Sequence, residues 1–441
     1  MSPPDLRELI TAVDPVRLTT ILRASAASAR SYLHWDELRH RPPPEDLSPE
    51  EWWLGVKLGR MSPLRALPLA DKEGRRFTFA TPDELLRQLH HIDKHAAGQI
   101  TVAEEVTNPA SRDRYIVSSL MEEAITSSQL EGASTTREVA RQMLRSGRAP
   151  RTTSEQMIVN NFSAMTFVRE RANDPLTPHL VLELHRVVTA GTLEDESKAG
   201  VFRDADDEIV IEDEVGTVLH VPPAAGELGE RLERLCAFAN STSEDAFVHP
   251  VVRAMILHFM IGYDHPFVDG NGRTARALFY WAMLSRGYWL AEYVSISRIL
   301  RKASGQYARA FLYTETDDAD VTYFLLHQAR VFQLALRDLQ EHLQKKVREV
   351  REVAGLLRGT TTVNHRQVAL LGHALRYPGM RYTIQSHRRS HNVVYQTART
   401  DLLDLADRNL LEQGKVGRSL VFVAPPDLGQ RLAAIHDARR E

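Results

Sequence analysis

The stretch that decides the fold is HPFVDGNGRTAR, which runs from His265 to Arg276. Before it, the segment Pro250 to Tyr263 (PVVRAMILHFMIGY) has apolar residues at helical spacing, and Thr274 to Ser285 after it is again apolar and helix-forming. The stretch is therefore predicted to be a loop between two buried helices, with its second half opening the later helix.

This loop brings together groups that suit a phosphate site. The segment Gly270–Gly272 can adopt backbone angles that direct successive N–H groups into one concavity. The positive end of the following helix strengthens that preference for an anion. An imidazole (His265), a carboxylate (Asp269) and two guanidiniums (Arg273 and Arg276) stand around it. The residue types indicate a base, a metal ligand, an anion nest and two charge clamps.

The arrangement resembles the signature of the Fic family, His-x-Phe-x-(Asp/Glu)-Gly-Asn-Gly-Arg-x-x-Arg. The matching residues are His265, Phe267, Asp269, Gly270, Asn271, Gly272, Arg273 and Arg276. So many fixed residue types at fixed spacing are far more specific than a lone Gly-x-Gly. The alternative is an ordinary glycine-rich turn between core helices, with a solvated aspartate and two surface arginines.

Composition sets broad limits on the rest of the chain. Its 441 residues, 43% hydrophobic and 26% charged, are ordinary for a globular protein of two or three domains. A net charge of −3 and a pI near 6.7 indicate no whole-chain affinity for nucleic acid or an anionic membrane. The single cysteine, Cys236, lies in an apolar helical pattern and predicts an inert buried thiol in a reducing cytoplasm. We expect neither a secretory signal nor a membrane span.

The organisation predicted from these patterns is mainly α. We expect an N-terminal docking region over residues 1–105, whose aromatic residues pack onto the core rather than bind a ligand. The Fic helical bundle with a β-hairpin flap is predicted over 106–320. A charged linker helix over 321–360, interpreted as a spacer or a dimer element, leads to a small α+β winged-helix domain over 361–441.

A second motif precedes the first. In a helix predicted over about 116–132, Ser127 and Glu131 share one face and Gly132 is a natural helix stop. A capped surface helix with a solvated glutamate is the simpler interpretation. One class of Fic proteins, however, has an inhibitory helix with the pattern (Ser/Thr)-x-x-x-Glu-(Gly/Asn), which these residues match. The resemblance implies that Glu131 pairs with Arg276 and occupies the guanidinium that a γ-phosphate needs.

Two β-rich runs, Glu208–Glu212 and Thr217–Val221, surround an acidic turn and predict a hairpin. A lone hairpin is marginally stable unless it packs on something. The resemblance makes residues of about 205–221 the flap that holds a target segment by adding a strand. The alternative is a hairpin without a function.

Residues 364–423 resemble a winged-helix domain, with one helix, a helix-turn-helix and a β-wing around Glu412–Ser419. This segment has nine Lys and Arg against four acidic residues, a local charge of +5. A basic recognition helix is typical of duplex binding. The residues predicted to contact DNA at or on that helix are Arg388, Arg389, His391, Asn392, Tyr395 and Arg399. Winged helices also dock proteins, so that alternative stays open.

Fic enzymes transfer a nucleoside monophosphate, usually AMP from ATP, to a protein hydroxyl. The resemblance implies that His265 accepts the proton of a Ser, Thr or Tyr hydroxyl as it attacks the α-phosphorus. It implies that Asp269 holds Mg²⁺ and that the Gly270, Asn271 and Gly272 amides bind the phosphates. The side chain of Asn271 would also orient the α-phosphate.

The remaining roles follow from the same resemblance. Arg273 would contact the phosphates and stabilise the leaving pyrophosphate, and Arg276 would take the γ-phosphate or Glu131. Tyr307 is predicted to line the adenine pocket, although a helical tyrosine usually belongs to the core. With Glu131 in place, the same site could align a water and remove AMP from a modified target.

The first hypothesis is thus an autoinhibited protein AMP-transferase that uses Mg²⁺ and ATP. Its partner is a protein with a hydroxyl side chain, the chain itself included, and a homodimer is compatible with the long helix. The second is a DNA-binding transcriptional regulator whose Fic core senses nucleotide or modifies itself. A third is a relative that moves UMP, GMP or a phosphate.

Overall fold

The structure, a computed structural model, is built mostly of helices. It describes residues 2–26, 28–44, 46–97, 109–212, 216–241, 247–358, 363–376, 379–391, 393–416 and 419–437. Two compact units divide the chain, Met1–Leu339 and Gln340–Glu441. The mainly α fold predicted from the sequence is confirmed.

The first unit combines helices with two short hairpins. Its helices are α1 (Leu6–Thr11), α2 (Pro15–Ser25), α3 (Trp35–Leu38), α4 (Pro49–Met61), α5 (Asp83–Ile92), α6 (Pro109–Leu130), α7 (Arg137–Ser146), α8 (Thr153–Glu170), α9 (Pro178–Thr189), α10 (Leu228–Asn240), α11 (Pro250–Asp264), α12 (Asn271–Ser285), α13 (Ile296–Lys302), α14 (Ser304–Thr316) and the start of α15 (Thr322–Arg358). Its antiparallel strand pairs are β1 (Arg65–Ala70) with β2 (Arg76–Phe79), and β3 (Ile211–Glu212) with β4 (Val218–His220).

The two helices around the central loop form the middle of this unit. α11 begins at Pro250, a residue suited to the first helical turn, and the His249 ring accepts the Val251 N–H at 3.3 Å. Both α11 and α12 are apolar on nearly every side and are buried along almost their whole length. A helix that is apolar all round belongs in a core, so the loop between them is rigidly supported.

The predicted N-terminal docking region and the predicted core fall in one compact unit. The Tyr32 hydroxyl donates to Asp320 at 2.6 Å, and the His34 ring stacks on Tyr313 with centroids 4.1 Å apart. Lys57 forms a buried ion pair with Asp317 at 2.6 Å. These contacts join the first hundred residues to α14 and to the turn between α14 and α15. Of the aromatic residues of this region, Tyr32 packs on Tyr323 of α15 with ring centroids 5.4 Å apart, whereas Trp35, Trp52 and Trp53 are buried in a cluster within the region itself.

The helix predicted over 321–360 is α15, but its first half is core rather than spacer. Phe324, Leu325, Phe332 and Leu336 are all buried. The unit boundary falls within this helix, after Leu339. Among the helices in the described residues, none is long and apolar enough to cross a bilayer.

The second unit contains helices α16 (His365–Arg376), α17 (Ile384–His391), α18 (Tyr395–Asp407) and α19 (Leu428–Asp437). Its strands are β5 (Arg381–Thr383), β6 (Glu412–Val416) and β7 (Ser419–Val423). They form an antiparallel sheet in the order β5-β7-β6. Leu371, Leu402 and Phe422 lie at the centre of its core.

Candidate active site

The loop between α11 and α12 is fixed by its own residues. His265 ends α11 in the left-handed region, with φ of 43°, and Gly270 precedes α12 with φ of 83°. A side chain at Gly270 would also crowd Thr189, since an added Cβ would lie 2.8 Å from Thr189 Cγ2. The Asn271 side chain accepts the Phe267 N–H at 3.0 Å and donates to the Phe267 carbonyl at 2.7 Å. The loop is therefore held in one conformation by its own hydrogen bonds.

These bonds leave one donor on the Asn271 side chain. One hydrogen of its Nδ2 goes to the Phe267 carbonyl and the amide carries a second, so the orientation of an α-phosphate by this side chain stays a prediction. Its backbone N–H stays at the start of α12, where the helix end favours an anion.

The loop rests on His185 of α9, which is fully buried. The Gly200 N–H donates to His185 Nδ1 at 2.9 Å, so that nitrogen carries no proton and Nε2 donates to the Asp269 carbonyl at 2.8 Å. The ring stacks on Phe267 with centroids 3.7 Å apart and a 7° angle between the planes. Burial lowers the pKa of His185 to about 4 and keeps the ring neutral at pH 7. His185 is therefore a core histidine with both ring nitrogens satisfied, and it supports the loop.

His265 is arranged to accept a proton. Its Nδ1 lies 3.3 Å from the Gly262 carbonyl oxygen, which can only accept, so Nδ1 carries the hydrogen and Nε2 keeps a free lone pair. Burial lowers the pKa of His265 below its ordinary value. A neutral imidazole with one unprotonated nitrogen is therefore the dominant form near pH 7.

Asp269 and Arg273 form an ion pair at the base of the loop. Arg273 Nη2 lies 2.9 Å from Asp269 Oδ2, and Arg273 Nη1 donates to the Val188 carbonyl at 3.2 Å. The Arg273 side chain is 0% exposed, whereas the Asp269 side chain is 53% exposed. Arg273 thus does not line the open site, and a phosphate contact would require it to leave Asp269. A direct phosphate contact by Arg273 stays a prediction.

Arg276 makes a different set of contacts, with α6 and with the residue directly after it. Its Nε donates to Ser127 Oγ at 2.9 Å and its Nη2 donates to the Ser127 carbonyl at 3.2 Å. Its Nη1 pairs with Glu131 Oε1 at 2.8 Å. Burial is the largest single effect and opposes the charge on Arg276, but Glu131, Tyr307 and Glu123 together outweigh it and the pKa of Arg276 is raised. Glu131 can approach because position 272 is glycine, where a Cβ would collide with its carboxylate.

The end of α6 is held in place by buried contacts. Gly132 follows the helix with φ of 91°, as expected of a glycine stop. Earlier in α6, the buried Glu123 carboxylate accepts the Ser295 hydroxyl at 2.7 Å and the Ser297 N–H at 3.2 Å. Burial raises the pKa of Glu123. The carboxylate of Glu131 is therefore presented by a fixed backbone.

A cavity of about 250 Å³ opens in front of the loop. Glu131, His265, Gly272, Arg276 and Tyr307 line it, together with residues of β4 and α14. The Tyr307 hydroxyl lies 2.8 Å from His258 Nε2. The predicted base, one glycine of the nest, one guanidinium and the predicted inhibitory glutamate are thus brought to one cavity.

The donor set also bears on the predicted metal ligand. Among the described residues, no three His, Cys, Asp or Glu side chains converge as a metal site. Magnesium, however, is often held by one or two carboxylates together with substrate phosphates. The half-exposed Asp269 carboxylate fits that requirement, because Arg273 and the Gly270 N–H leave further lone pairs on its oxygens.

The hairpin is present but shorter than predicted. The pairing runs only over Ile211–Glu212 and Val218–His220, because the register shifts between Ile211 and Glu212 and interrupts the ladder. Its turn, 213–215, lies outside the described residues. His220 and Leu219 of β4 face the cavity.

Two residues that position this site were given no role from the sequence. Arg203 donates from Nε to the His265 carbonyl at 2.9 Å and from Nη2 to the Pro223 carbonyl, so it ties the chain after the hairpin to the loop. His220 joins the hairpin to α11 and α14 through the Tyr263 carbonyl and Glu315, each at 2.7 Å. The only sequence signal for these contacts was an arginine before the hairpin and a histidine within it. Their partners are distant in the chain.

The residues predicted to contact DNA lie on two helices of the second unit. Arg388 and Arg389 are exposed on α17, whereas Tyr395 and Arg399 are exposed on α18. The prediction placed them at or on one recognition helix, but α17 ends at His391 and a new helix begins at Tyr395. Asn392 lies outside the described residues.

Comparison with known families defines the class of the central region. Residues 175–283 match the model of the Fic/DOC family. The chain therefore contains a Fic/DOC family domain, as the central motif predicted. The match does not include Ser127, Glu131 or Gly132.

Two curated relatives each match 108 residues of the chain. The Protein adenylyltransferase Fic of Drosophila virilis is 36% identical over 108 residues, which is 24% of this chain and 20% of that protein. The protein of the same name from Drosophila mojavensis is 35% identical over 108 residues, covering 24% of this chain and 19% of that protein. The chain thus spans about a fifth of the length of these curated relatives.

A solved structure extends the similarity in fold. A Fic family protein from Desulfovibrio desulfuricans G20 superposes with a TM-score of 0.50 and 19% identity, covering 77% of this chain and 94% of that one. At this identity the likeness concerns the fold alone. It confirms the predicted Fic fold.

Proposed function

We propose that this protein transfers AMP from ATP to the hydroxyl of a Ser, Thr or Tyr side chain on a protein, and that Glu131 restrains the reaction. The observation that carries the proposal is the free Nε2 of His265 in a cavity shared with Gly272 and Arg276. The curated relatives of the matched segment are named protein adenylyltransferases, which supports the same class of reaction.

In the proposed reaction, the target oxygen attacks the α-phosphorus of ATP and its proton passes to His265 Nε2. A P–O bond to the new ester forms as the bond to pyrophosphate breaks. The lowered pKa of His265 keeps the acceptor nitrogen free near pH 7. General-base help of this kind contributes about 10²–10⁴ in rate.

The amides at the start of α12 would bind the phosphates, and Gly270 and Gly272 permit their close approach. Asp269 would hold Mg²⁺, which neutralises phosphate charge when bound. Arg273 would act through Asp269, because its guanidinium lies behind that carboxylate.

Autoinhibition follows from competition for one guanidinium. The Glu131 carboxylate holds Arg276 Nη1 at 2.8 Å, so a γ-phosphate must displace it. With Glu131 in place, the cavity would still admit a water near His265 for removal of AMP from a modified target. The β3–β4 hairpin would hold the target segment beside His265.

Label transfer tests this proposal directly. We expect Glu131→Gly to raise transfer from α-³²P-ATP onto itself or lysate proteins by about 10- to 100-fold, the range of one charge-assisted contact. Adding His265→Ala should abolish the signal, and γ-³²P-ATP should give none. Glu194→Gly, a change at an exposed loop glutamate, serves as the control. No rise with Glu131→Gly would refute autoinhibition, and label from γ-³²P-ATP would show phosphate transfer instead.

A second candidate function concerns the second unit. The succession of α16, β5, α17, α18 and the β6–β7 hairpin corresponds to the order of elements in a winged helix, and exposed Arg388, Arg389 and Arg399 favour binding to duplex DNA. The protein would then be a DNA-binding regulator with a nucleotide-sensing Fic core.

Salt-dependent binding to the DNA upstream of its own gene tests this second function. Replacing both Arg388 and Arg389 with Ala should reduce the slope of log K against log salt by about 2. Arg431→Ala, which removes an arginine paired with Asp427, is the matched control. Binding that does not change with salt would exclude this function.

A further inference from the structure

A second cavity lies against another face of α14. It has a volume of about 300 Å³, which is enough for a small organic ligand. Phe311 and Glu315 of α14 line the active-site cavity. Gln306, Arg309 and Tyr313 belong to the opposite face of the same helix and line the second cavity. Its other walls come from residues 31–34, α3, α5 and α15.

The inner walls of the second cavity are aromatic and uncharged. The buried His34 ring stacks on Tyr313 with centroids 4.1 Å apart, and Tyr323 meets Tyr313 edge-on with centroids 5.9 Å apart. Burial lowers the pKa of His34 to about 4. Burial, assisted by the charge of Arg330, does the same for His327. Both imidazoles are therefore neutral at pH 7, and these walls offer ring surfaces without a charge.

The charges of the second cavity stand at its rim, on two exposed glutamates and two exposed arginines. Each carboxylate already accepts from a neighbour, Glu37 Oε1 from the Tyr313 hydroxyl at 3.5 Å and Glu84 Oε1 from a side-chain amide one turn along α5 at 3.4 Å. Arg309 and Arg330, by contrast, form no ion pair or hydrogen bond with any residue that the structure describes. The charge left without a partner is therefore positive.

These residue types define the chemistry of a ligand. Arg309 belongs to α14 and Arg330 to α15. A carboxylate has two oxygens in one plane and matches one guanidinium fork, whereas a tetrahedral phosphate presents oxygens to both forks. Glutamates can only accept and therefore suit hydroxyl groups, as when an acidic side chain binds the ribose of a dinucleotide. The ring of Tyr313 offers an apolar surface for the carbon atoms between phosphate and hydroxyls.

We propose that this second cavity binds a phosphorylated sugar. Arg309 and Arg330 hold the phosphate, and Glu37 and Glu84 accept the sugar hydroxyls above the ring of Tyr313. The inference does not depend on the proposed transfer, because none of these residues lines the active-site cavity. A free sugar phosphate and a nucleoside monophosphate share this chemistry, and the experiment separates the two.

Isothermal titration calorimetry of the full chain tests the phosphate half of the site. We expect ribose-5-phosphate to bind, and the double variant Arg309→Gln with Arg330→Gln to weaken that binding by about 10- to 100-fold, since both charged donors are lost. Because the two arginines are exposed and unpaired, the variant should unfold at the temperature of the parent. Arg337→Gln, a change at an exposed arginine about two turns further along α15, is the matched control and should leave binding unchanged.

Titration with inorganic phosphate and with ribose tests the sugar half. Ribose-5-phosphate should bind at least about 10-fold more tightly than inorganic phosphate, because its hydroxyls add contacts to the carboxylates, and ribose alone should not bind measurably. Glu37→Gln should weaken the binding of ribose-5-phosphate by about 3- to 10-fold without weakening that of inorganic phosphate. A purely structural role of Glu37 would not divide the two titrants in this way.

The remaining outcomes decide the assignment and the source of the ligand. No binding of ribose-5-phosphate, or equal binding in the double arginine variant and in Arg337→Gln, would overturn the proposal. Equal affinities for ribose-5-phosphate and inorganic phosphate would also overturn it. AMP that binds more tightly than ribose-5-phosphate, and loses this affinity in the double arginine variant, supports the site and identifies a nucleotide as its ligand. Weaker binding of AMP identifies a free sugar phosphate.

Discussion

Two arginines of α12, Arg273 and Arg276, find their ion-pair partners in different parts of the chain. At the floor of the site, Arg273 pairs with Asp269, four residues away in the same motif, over the support of His185. At the rim, Arg276 pairs with Ser127 of α6 and with Glu131 directly after that helix, both far away in the sequence. Both guanidinium groups are almost fully buried. The pair of Arg273 and Asp269, here called the floor, therefore lies within the motif itself. Arg276, here called the rim, depends on Glu131, a partner outside the motif that a ligand phosphate can displace.

The largest expected difference comes from neutralising the two carboxylates in parallel. Asp269→Asn leaves Arg273 buried without a counter-charge, so we expect a loss of roughly 2–3 kcal/mol in the free energy of unfolding. This is less than for a fully buried pair because Asp269 is half exposed. Glu131→Gln should cost under about 1 kcal/mol, since Ser127 still binds Arg276 on two sides.

Urea unfolding of both variants at pH 7 measures this contrast. Both changes replace a carboxylate by an amide of the same size, so each serves as the control for the other. Equal losses of stability would mean that floor and rim are not distinct, and a larger loss for Glu131→Gln would reverse the comparison.

The next prediction concerns the support of the floor, His185, and the way in which the free energy of unfolding depends on pH. The pKa of His185 is about 4 in the folded protein, below the ordinary value of 6.5, so the unfolded chain binds the extra proton first. Its contribution to stability is complete above pH 6.5 and is lost as the pH falls towards 4. Between pH 7 and pH 5 this loss is about 2 kcal/mol.

His185→Gln provides the measurement, because an amide can still accept from the Gly200 N–H and donate to the Asp269 carbonyl. The variant should be less stable at pH 7, having lost the stacking on Phe267. Its stability should nevertheless fall less than that of the parent protein between pH 7 and pH 5, by about 2 kcal/mol. A pH dependence identical to that of the parent would show that His185 does not titrate with folding.

How much could be predicted from the sequence also depends on whether the partners are close together or far apart along the chain. Helical periodicity predicted α11 and α12, and the contiguous motif from His265 to Arg276 predicted the domain, because these signals are local. The motif fixed the residue types but not all of their bonds. Asn271 has both ends of its amide turned into the loop, and Arg273 lies behind Asp269. Whether a side chain faces a ligand or its own loop depends on geometry that spacing does not encode.

Contacts between distant segments could not be predicted from the sequence either. The bond from Arg203 to the His265 carbonyl and the pair of His220 with Glu315 join segments that only the fold brings together. The same holds for the packing of His34 on Tyr313, which places the first hundred residues in the first unit. The inhibitory motif could be proposed only because its three residues matched a known pattern.

The smallest expected effect separates the two partners of Arg276 at the rim. Ser127 and Glu131 were predicted together as inhibitory residues, but they act on the guanidinium in different ways. Glu131 occupies Nη1, while Ser127 holds Nε and Nη2 and would keep the group directed at the cavity after Glu131 has left. We therefore expect Ser127→Ala, in the Glu131→Gly background, to weaken ATP binding by about 2- to 10-fold, the range of one typical intramolecular hydrogen bond. Ser134→Ala, a change at a hydroxyl outside the cavity, is the control for equilibrium titration with Mg·ATP. Tighter binding in Ser127→Ala would make Ser127 a second inhibitor and return the rim to the single role predicted from the sequence.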